Sequence, residues 1–330
     1  MVFLTAFLLT FSLSWFFTWL IIKLALVFNI VDRPDGQKKI HRRAVPLLGG
    51  LAIFLSFFLV LFVFRQYLIS GILTYRHWLW FFAGAGFLML GGILDDKYDL
   101  QPARQIIFPL LAIACVIAGG IGIGKITNPL GGFIYFSFIT SSIFTVIWLM
   151  LMMYTTKLLD GLDGLVTGIS GIGGLIIFLF TVTTKYYQPD IALAAIIFAA
   201  ACLGFLVLNW YPAKIFLGEG GSLLLGYISG VLAIISGGKI AIALLVLGLP
   251  LLDLGWTILR RLGSGKNPFQ AADRRHLHHR LLGLGIGERR TVLIFYFFSF
   301  LFGLLALFLQ SRGKLLAVSI LVIIMICLLI

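Results

Sequence analysis

Two carboxylate pairs, Asp95-Asp96 and Asp160-Gly-Leu-Asp163, each sit at the lip of a long apolar run. A charged side chain at the centre of a membrane helix costs about 2.5–3.5 kcal/mol on insertion scales, so paired acids at membrane ends call for a metal, a proton or a phosphate. Adjacent ionised carboxylates repel. Holding Asp95 and Asp96 together therefore requires a divalent cation or a basic neighbour such as Lys97 or Arg104. In Asp160-Gly-Leu-Asp-Gly164 the acids are three residues apart, which on a helical turn puts both on one face, and the glycines let backbone approach a ligand. A solvated helix end and a turn with incidental acids are the plainer readings of these segments.

Two more segments carry chemistry-capable side chains. Asn209-Trp-Tyr-Pro-Ala-Lys214 leads through Gly218-Glu219-Gly-Gly-Ser222 into the next apolar run. Free N–H groups at a helix start, with Lys214 nearby, suit a phosphate, and Glu219 could hold a cation against it. Asp273-Arg274-Arg275-His276-Leu-His278-His279-Arg280 lies in the longest polar loop. Three histidines suggest zinc, but no cysteine or close acid completes a tetrahedral set and the arginines oppose a cation. Arginine and histidine together better suit an anionic, hydroxyl-rich ligand such as a nucleotide sugar.

The elements that must position these groups are membrane helices. With 61% hydrophobic and 11% charged residues among 330, and a mean hydropathy of +1.11, the chain reads as an all-α, polytopic membrane protein folded as one domain over 1–330. Apolar runs near 2–28, 47–64, 78–94, 106–124, 139–155, 168–184, 191–210, 222–236, 239–258, 292–310 and 315–330 predict about eleven spans. The first lacks a basic start and a small-residue cleavage site, so it is expected to persist as a span. Cys115, Cys202 and Cys327 each lie inside an apolar run and read as packing residues.

Charge sets the orientation. Of the 25 Lys and Arg, Lys23 lies within the first run and only Arg65, Arg76, Lys125, Lys185, Lys239, Arg312 and Lys314 fall in one set of loops. The other seventeen fall in 29–46, 95–105, 156–167, 211–221 and 259–291, which predicts that these loops are cytoplasmic in the inner membrane, with the N-terminus outside. Ten of the twelve acids share those loops, which puts the active site on the cytoplasmic face. A transporter would instead carry ionisable groups at the bilayer midplane and show repeat symmetry, and neither is found. The net charge of +13 follows from this topology and from attraction to anionic lipid, and no nucleic-acid partner is expected. The lipid bilayer is the one partner that composition fixes; a homodimer stays open.

Taken in order, five stretches resemble the polyprenyl-phosphate N-acetylhexosamine-1-phosphate transferases. They are Arg33-Pro-Asp-Gly-Gln-Lys-Lys-Ile-His41 running on to Val45-Pro-Leu-Leu-Gly-Gly50, Leu94-Asp-Asp-Lys-Tyr-Asp-Leu100, Asp160-Gly-Leu-Asp-Gly-Leu165, Pro212-Ala-Lys-Ile-Phe-Leu-Gly-Glu-Gly-Gly-Ser222 and His276-Leu-His-His279. The Val45–Gly50 stretch and the His-Leu-His-His form are similar to the branch that moves GlcNAc-1-phosphate onto undecaprenyl phosphate. The resemblance implies a UDP-GlcNAc-type donor, undecaprenyl phosphate as acceptor, Mg2+ or Mn2+ as cofactor, and UMP as leaving group. It also implies roles. Asp95 and Asp96 belong at the lipid phosphate and metal, with Asp95 a candidate base, and Asp160 and Asp163 join them as catalytic acids. Glu219 takes the metal-binding position. Asp163 and Asn209 lie toward the uridine, His276, His278, His279 and Arg274 toward the sugar and diphosphate, and Lys38, Lys39 and His41 gather the lipid phosphate. Tyr154 and Lys157 stand where the family usually has asparagines, and Glu219 where it has aspartate. Lys157, one turn before Asp160, is expected to pair with that acid or to meet the donor diphosphate. Another UDP-hexosamine, UDP-MurNAc-pentapeptide, or a non-catalytic lipid-phosphate-binding scaffold remain as alternatives.

Overall fold

The computed structural model describes residues 1–33, 44–69, 73–128, 132–183, 187–237, 240–263 and 276–309, together with 313, 316–317 and 319–323. Among these the order is α1 (Val2–Val27), β1 (Val31–Asp32), β2 (Val45–Pro46), α2 (Gly49–Val63), α3 (Arg65–Leu68), α4 (Tyr75–Tyr98), α5 (Pro102–Gln105), α6 (Ile107–Ala118), β3 (Lys125–Thr127), β4 (Phe133–Tyr135), α7 (Phe138–Leu159), α8 (Leu165–Thr181), α9 (Pro189–Asn209), α10 (Gly218–Ile235), α11 (Ile240–Val246), α12 (Gly248–Gly263), α13 (Leu277–Gly283) and α14 (Glu288–Phe308). The strands form two short antiparallel ribbons, Val31 opposite Pro46 and Lys125 opposite Tyr135, so the fold is nearly all helix.

Helices α1, α4, α7, α9, α10 and α14 are long and apolar enough to cross a membrane, and 49–63, 102–118 and 165–181 are shorter apolar helices. The chain is a multi-pass membrane protein, and among the described residues six helices meet that length and hydropathy, which leaves the expected eleven spans unconfirmed. A helix nonetheless stands at each expected position up to 292–310, while much of 315–330 lies outside the described residues. The expected run at 239–258 is two helices, α11 and α12, which meet at Leu247. Pro250 has no N–H to give to the carbonyl four residues back, so the helical ladder breaks there. Elsewhere the ends are set locally. Proline opens α5 and α9, where a missing N–H costs nothing, and the Ser137 hydroxyl accepts the Thr140 N–H at 3.3 Å to cap α7.

Helices α9 and α10 are buried almost all round and form the centre of the bundle. Around α10 pack α7, α4, α2 and α8; around α9 pack α8, α1 and α2. Side-chain donors tie helices together where no water competes: Ser14 Oγ to Ala201 O at 2.6 Å, Trp148 Nε1 to Gly230 O at 3.1 Å, and Tyr227 Oη to Phe81 O at 3.1 Å. Helix α1 turns Trp15, Phe16 and Trp19 outward, where lipid would cover them.

At the N-terminal end of α10, packing becomes backbone on backbone. A Cβ on Gly50 would stand 2.1 Å from Gly221 Cα, and one on Gly92 would stand 2.2 Å from Gly220 Cα. The first amides of α2 have no partner in their own helix, and those of Gly49 and Gly50 donate instead to Phe216 O and Leu217 O, at 2.9 and 2.8 Å. Phe216 N in turn donates to Pro46 O at 2.9 Å, so the β1–β2 ribbon is held to the same spot. Three helices and a ribbon thus meet at four glycines.

Adding one methyl should be enough to separate them. Gly92→Ala is expected to destabilise the protein by about 1–3 kcal/mol, the range for overpacking, and to lower the thermal unfolding midpoint in detergent. Gly86→Ala, on the same helix with open space around it, should leave the midpoint unchanged or raise it. Equal midpoints for the two variants would contradict the close contact.

Candidate active site

Helix α4 delivers Asp95 and Asp96 in its last turn and ends at Asp99, whose φ of 50° is left-handed. The two carboxylates are held in different directions. Asp95 Oδ1 accepts the Leu100 N–H at 2.9 Å and the Gln105 amide Nε2 at 2.8 Å, which fixes the turn into α5. Asp96 Oδ1 accepts the Glu219 N–H at 3.0 Å, so one expected phosphate-binding amide at the start of α10 is already taken by a carboxylate. The positive end of the helix dipole favours that arrangement. Gly218, with φ of +74°, lies so close that a Cβ would stand 2.3 Å from Asp96 Oδ2, and no other residue fits there.

Helix α7 brings Lys157 across to the first turn of α10. Its ammonium pairs with Glu219 and donates to Gln105 Oε1 at 3.3 Å, with the Tyr154 ring 5.6 Å away. The expected pairing with Asp160 is thus replaced by one with Glu219. The reason is the close seating of α7 on α10, where a Cβ on Gly226 would meet Met152 O at 2.5 Å. Asp160 follows α7 as its C-cap, with its side chain exposed. Desolvation by the surrounding protein, then the charges of Glu219, Asp96 and Asp163, raise its pKa above the usual carboxylate range.

Asp163 and Asn209 shape the site from behind. Asp163 Oδ2 accepts the Ala213 N–H at 2.8 Å. Asn209 is buried, accepting from Thr167 Oγ1 at 2.9 Å and donating to Ile215 O at 2.9 Å. Both hold the segment between α9 and α10, including the Tyr211–Pro212 cis peptide. Tyr296 Oη donates to Gly164 O at 2.6 Å and locks the end of the Asp160–Gly164 turn onto α14.

The histidines reach that turn. His276 caps α13, its Nδ1 lies 2.8 Å from Asp253 Oδ2, and Asp253 Oδ1 accepts the Leu277 N–H at 3.0 Å. Asp253, from α12, therefore orients His276 and caps the helix at once. His278 stacks on His276, ring centroids 5.8 Å apart, and a Cβ on Gly161 would lie 2.8 Å from its Nε2. Glycine at 161 is what admits the imidazole. Burial, then the neighbouring His279 and His276, lower the His278 pKa to about 3, so this ring is neutral and offers a hydrogen bond, not a charge, to an anionic ligand. Lys38, Lys39, His41 and Arg274 lie outside the described residues.

The structure thus brings together Asp95, Asp96, Glu219, Lys157 and Asp160, with His278 touching their edge through Gly161. Sequence reasoning missed Gln105 and Asp253. Asp253 carried a signal, as an acid inside an apolar run; Gln105 carried none. Every acid here offers hard oxygen, the donor Mg2+ prefers, and Mg2+ commonly takes one or two carboxylates plus substrate phosphate. Among the described residues no three His, Cys, Asp or Glu converge closely enough to hold a metal alone. The donor chemistry, carboxylate oxygen, fits a hard divalent cation.

Residues 78–237 match glycosyl transferase family 4. The chain is 33% identical over 304 residues to a probable undecaprenyl-phosphate N-acetylglucosaminyl 1-phosphate transferase of Bacillus subtilis, covering 88% of this chain and 80% of that one. It is 33% identical over 296 residues to the undecaprenyl-phosphate alpha-N-acetylglucosaminyl 1-phosphate transferase of Thermotoga maritima, covering 89% and 87%. A phospho-N-acetylmuramoyl-pentapeptide-transferase of Caldicellulosiruptor bescii is 30% identical over 301 residues, covering 86% and 88%.

Removing the Asp253 carboxylate should loosen α13. Asp253→Ala is expected to raise amide hydrogen exchange over 277–283 about fivefold or more, the loss of a cap worth roughly 1 kcal/mol, and Asp253→Asn by less. Unaltered exchange in Asp253→Ala would remove Asp253 from this role.

Proposed function

The chain belongs to glycosyl transferase family 4, the polyprenyl-phosphate hexosamine-1-phosphate transferases, and from that premise we propose that it moves GlcNAc-1-phosphate from UDP-GlcNAc to undecaprenyl phosphate. A phosphate oxygen of the lipid attacks the β-phosphorus of the donor, the new P–O bond forms, the bond to the bridging oxygen breaks, and UMP departs with that oxygen. The product is a lipid-diphosphate-linked sugar. The observation that carries the reading is the meeting of Asp95, Asp96, Glu219 and Lys157 at the ends of apolar helices. There a lipid phosphate can arrive from the bilayer while a water-soluble nucleotide arrives from the other side.

Phosphoryl transfer of this kind needs alignment and charge neutralisation more than covalent help. Glu219, with Asp95 and Asp96, would hold Mg2+, which when bound would supply positive charge against that of the diphosphate. The chain's own groups do the rest. Asp95 keeps one oxygen on Leu100 and Gln105 and has the other to hold a proton from the lipid phosphate. Lys157 sets a point charge beside the diphosphate. His276, oriented by Asp253, and neutral His278 offer ring nitrogens to the sugar-diphosphate. Asp163 fixes the wall of the nucleotide side. The loops rich in Lys and Arg orient this face to the cytoplasm and the N-terminus outward.

Purified protein in mixed micelles with undecaprenyl phosphate and Mg2+ is expected to release UMP from UDP-GlcNAc faster than from other UDP-hexosamines or UDP-MurNAc-pentapeptide. Asp95→Asn and Asp96→Asn should each lower turnover at least about 10²-fold. Preference for the pentapeptide donor would move the chain to the other branch. Near-normal turnover in both variants would remove the acid pair from the reaction.

A further inference from the structure

The two unusual residues of the site are bonded to each other. Lys157, where the family resemblance leads one to expect asparagine, has its ammonium on Glu219, where it leads one to expect aspartate. The pair is part-buried, and it continues beyond itself. Lys157 Nζ donates to Gln105 Oε1 at 3.3 Å, while Gln105 Nε2 donates to Asp95 Oδ1 at 2.8 Å and to Leu100 O at 2.9 Å. On the other side the Glu219 N–H donates to Asp96 Oδ1. An ammonium therefore sits on the carboxylate that the transferase reading gives to the metal, inside a relay that ends on both members of the acid pair.

An ammonium on a carboxylate lowers its affinity for a divalent cation, because it neutralises part of the negative charge and the two positive charges repel each other. We propose that Lys157 is an internal competitor for the cation at Glu219, and that the donor diphosphate, by offering the ammonium another anion, releases Glu219 so that nucleotide and cation bind cooperatively. The inference rests on the transferase reading for the identity of the diphosphate. Lysine suits the task because its flexible stem can carry a compact charge from one anion to the next. Its departure also frees Gln105 Oε1, so loading at Glu219 is communicated to Asp95, the residue at the acceptor end. Coupling of this kind is reciprocal: whatever the donor does for cation affinity, the cation does for donor affinity.

Direct titration tests this without turnover. Wild type, Lys157→Met, Lys157→Arg, Glu219→Gln and the Lys157→Met/Glu219→Gln double variant are titrated with Mn2+, and free Mn2+ is followed by electron paramagnetic resonance, with and without UDP-GlcNAc. Without nucleotide, Lys157→Met should bind Mn2+ at least about fivefold tighter than wild type, the lower end of ordinary coupling between sites. Lys157→Arg should stay near wild type, and the double variant should lose the gain. UDP-GlcNAc should tighten Mn2+ binding more in wild type than in Lys157→Met. If Lys157→Met fails to fold, Lys157→Gln replaces it with the same expectation. Unchanged or weaker nucleotide-free affinity in the uncharged variant, or no Mn2+ binding in any protein, overturns the competition. UMP release by wild type, measured on the same preparations, separates that failure from failure of the transferase reading.

Discussion

The site depends on the contact between the first turn of α10 and the helices α2 and α4. Two glycines of α10, Gly220 and Gly221, lie against Gly92 and Gly50 with no room for a Cβ between them. Only this approach lets the Glu219 amide reach Asp96 and puts the Glu219 side chain within reach of Lys157 from α7. In a bilayer, helices gain little from hydrophobic sequestration against each other, so close van der Waals contact and backbone hydrogen bonds must do the joining. The amides of Gly49 and Gly50, bonded to Phe216 and Leu217, supply the second of these.

Around that contact the protein gathers like charges. Asp95, Asp96, Asp160 and Glu219 would repel one another at such close quarters, and three features make the gathering tolerable. Asp96 lies at the positive end of α10, Glu219 is paired with Lys157, and the Asp160 carboxyl holds its proton more tightly than an ordinary carboxyl. The His276–His278 stack closes one edge with neutral nitrogen rather than with charge, and Asp253 keeps it in place from below.

The sequence carries most of the site's membership and little of its wiring. Asp95, Asp96, Asp160 and Glu219 were legible because acids beside long apolar runs are expensive and therefore few. The helices were legible from hydropathy, except where Pro250 splits one run in two. The partner of Lys157 was not legible, because a spacing of three residues points along its own helix to Asp160, whereas α7 packs across α10 and finds Glu219 first. The protein partners of Asn209, Thr167 and Ile215, were not legible either, since they come from another helix and from the loop after α9. Gln105 had no signal at all: a lone glutamine in a polar loop becomes the bridge between Lys157 and Asp95 only once α5 folds back.

The account's central claim is that these residues transfer a sugar together with its phosphate. UDP-GlcNAc radiolabelled in the β-phosphate, incubated with the protein, undecaprenyl phosphate and Mg2+, decides it in one extraction. The account predicts that the label moves into the lipid phase as UMP appears in the water. Label that stays in the water as UDP, while sugar alone enters the lipid, would contradict it.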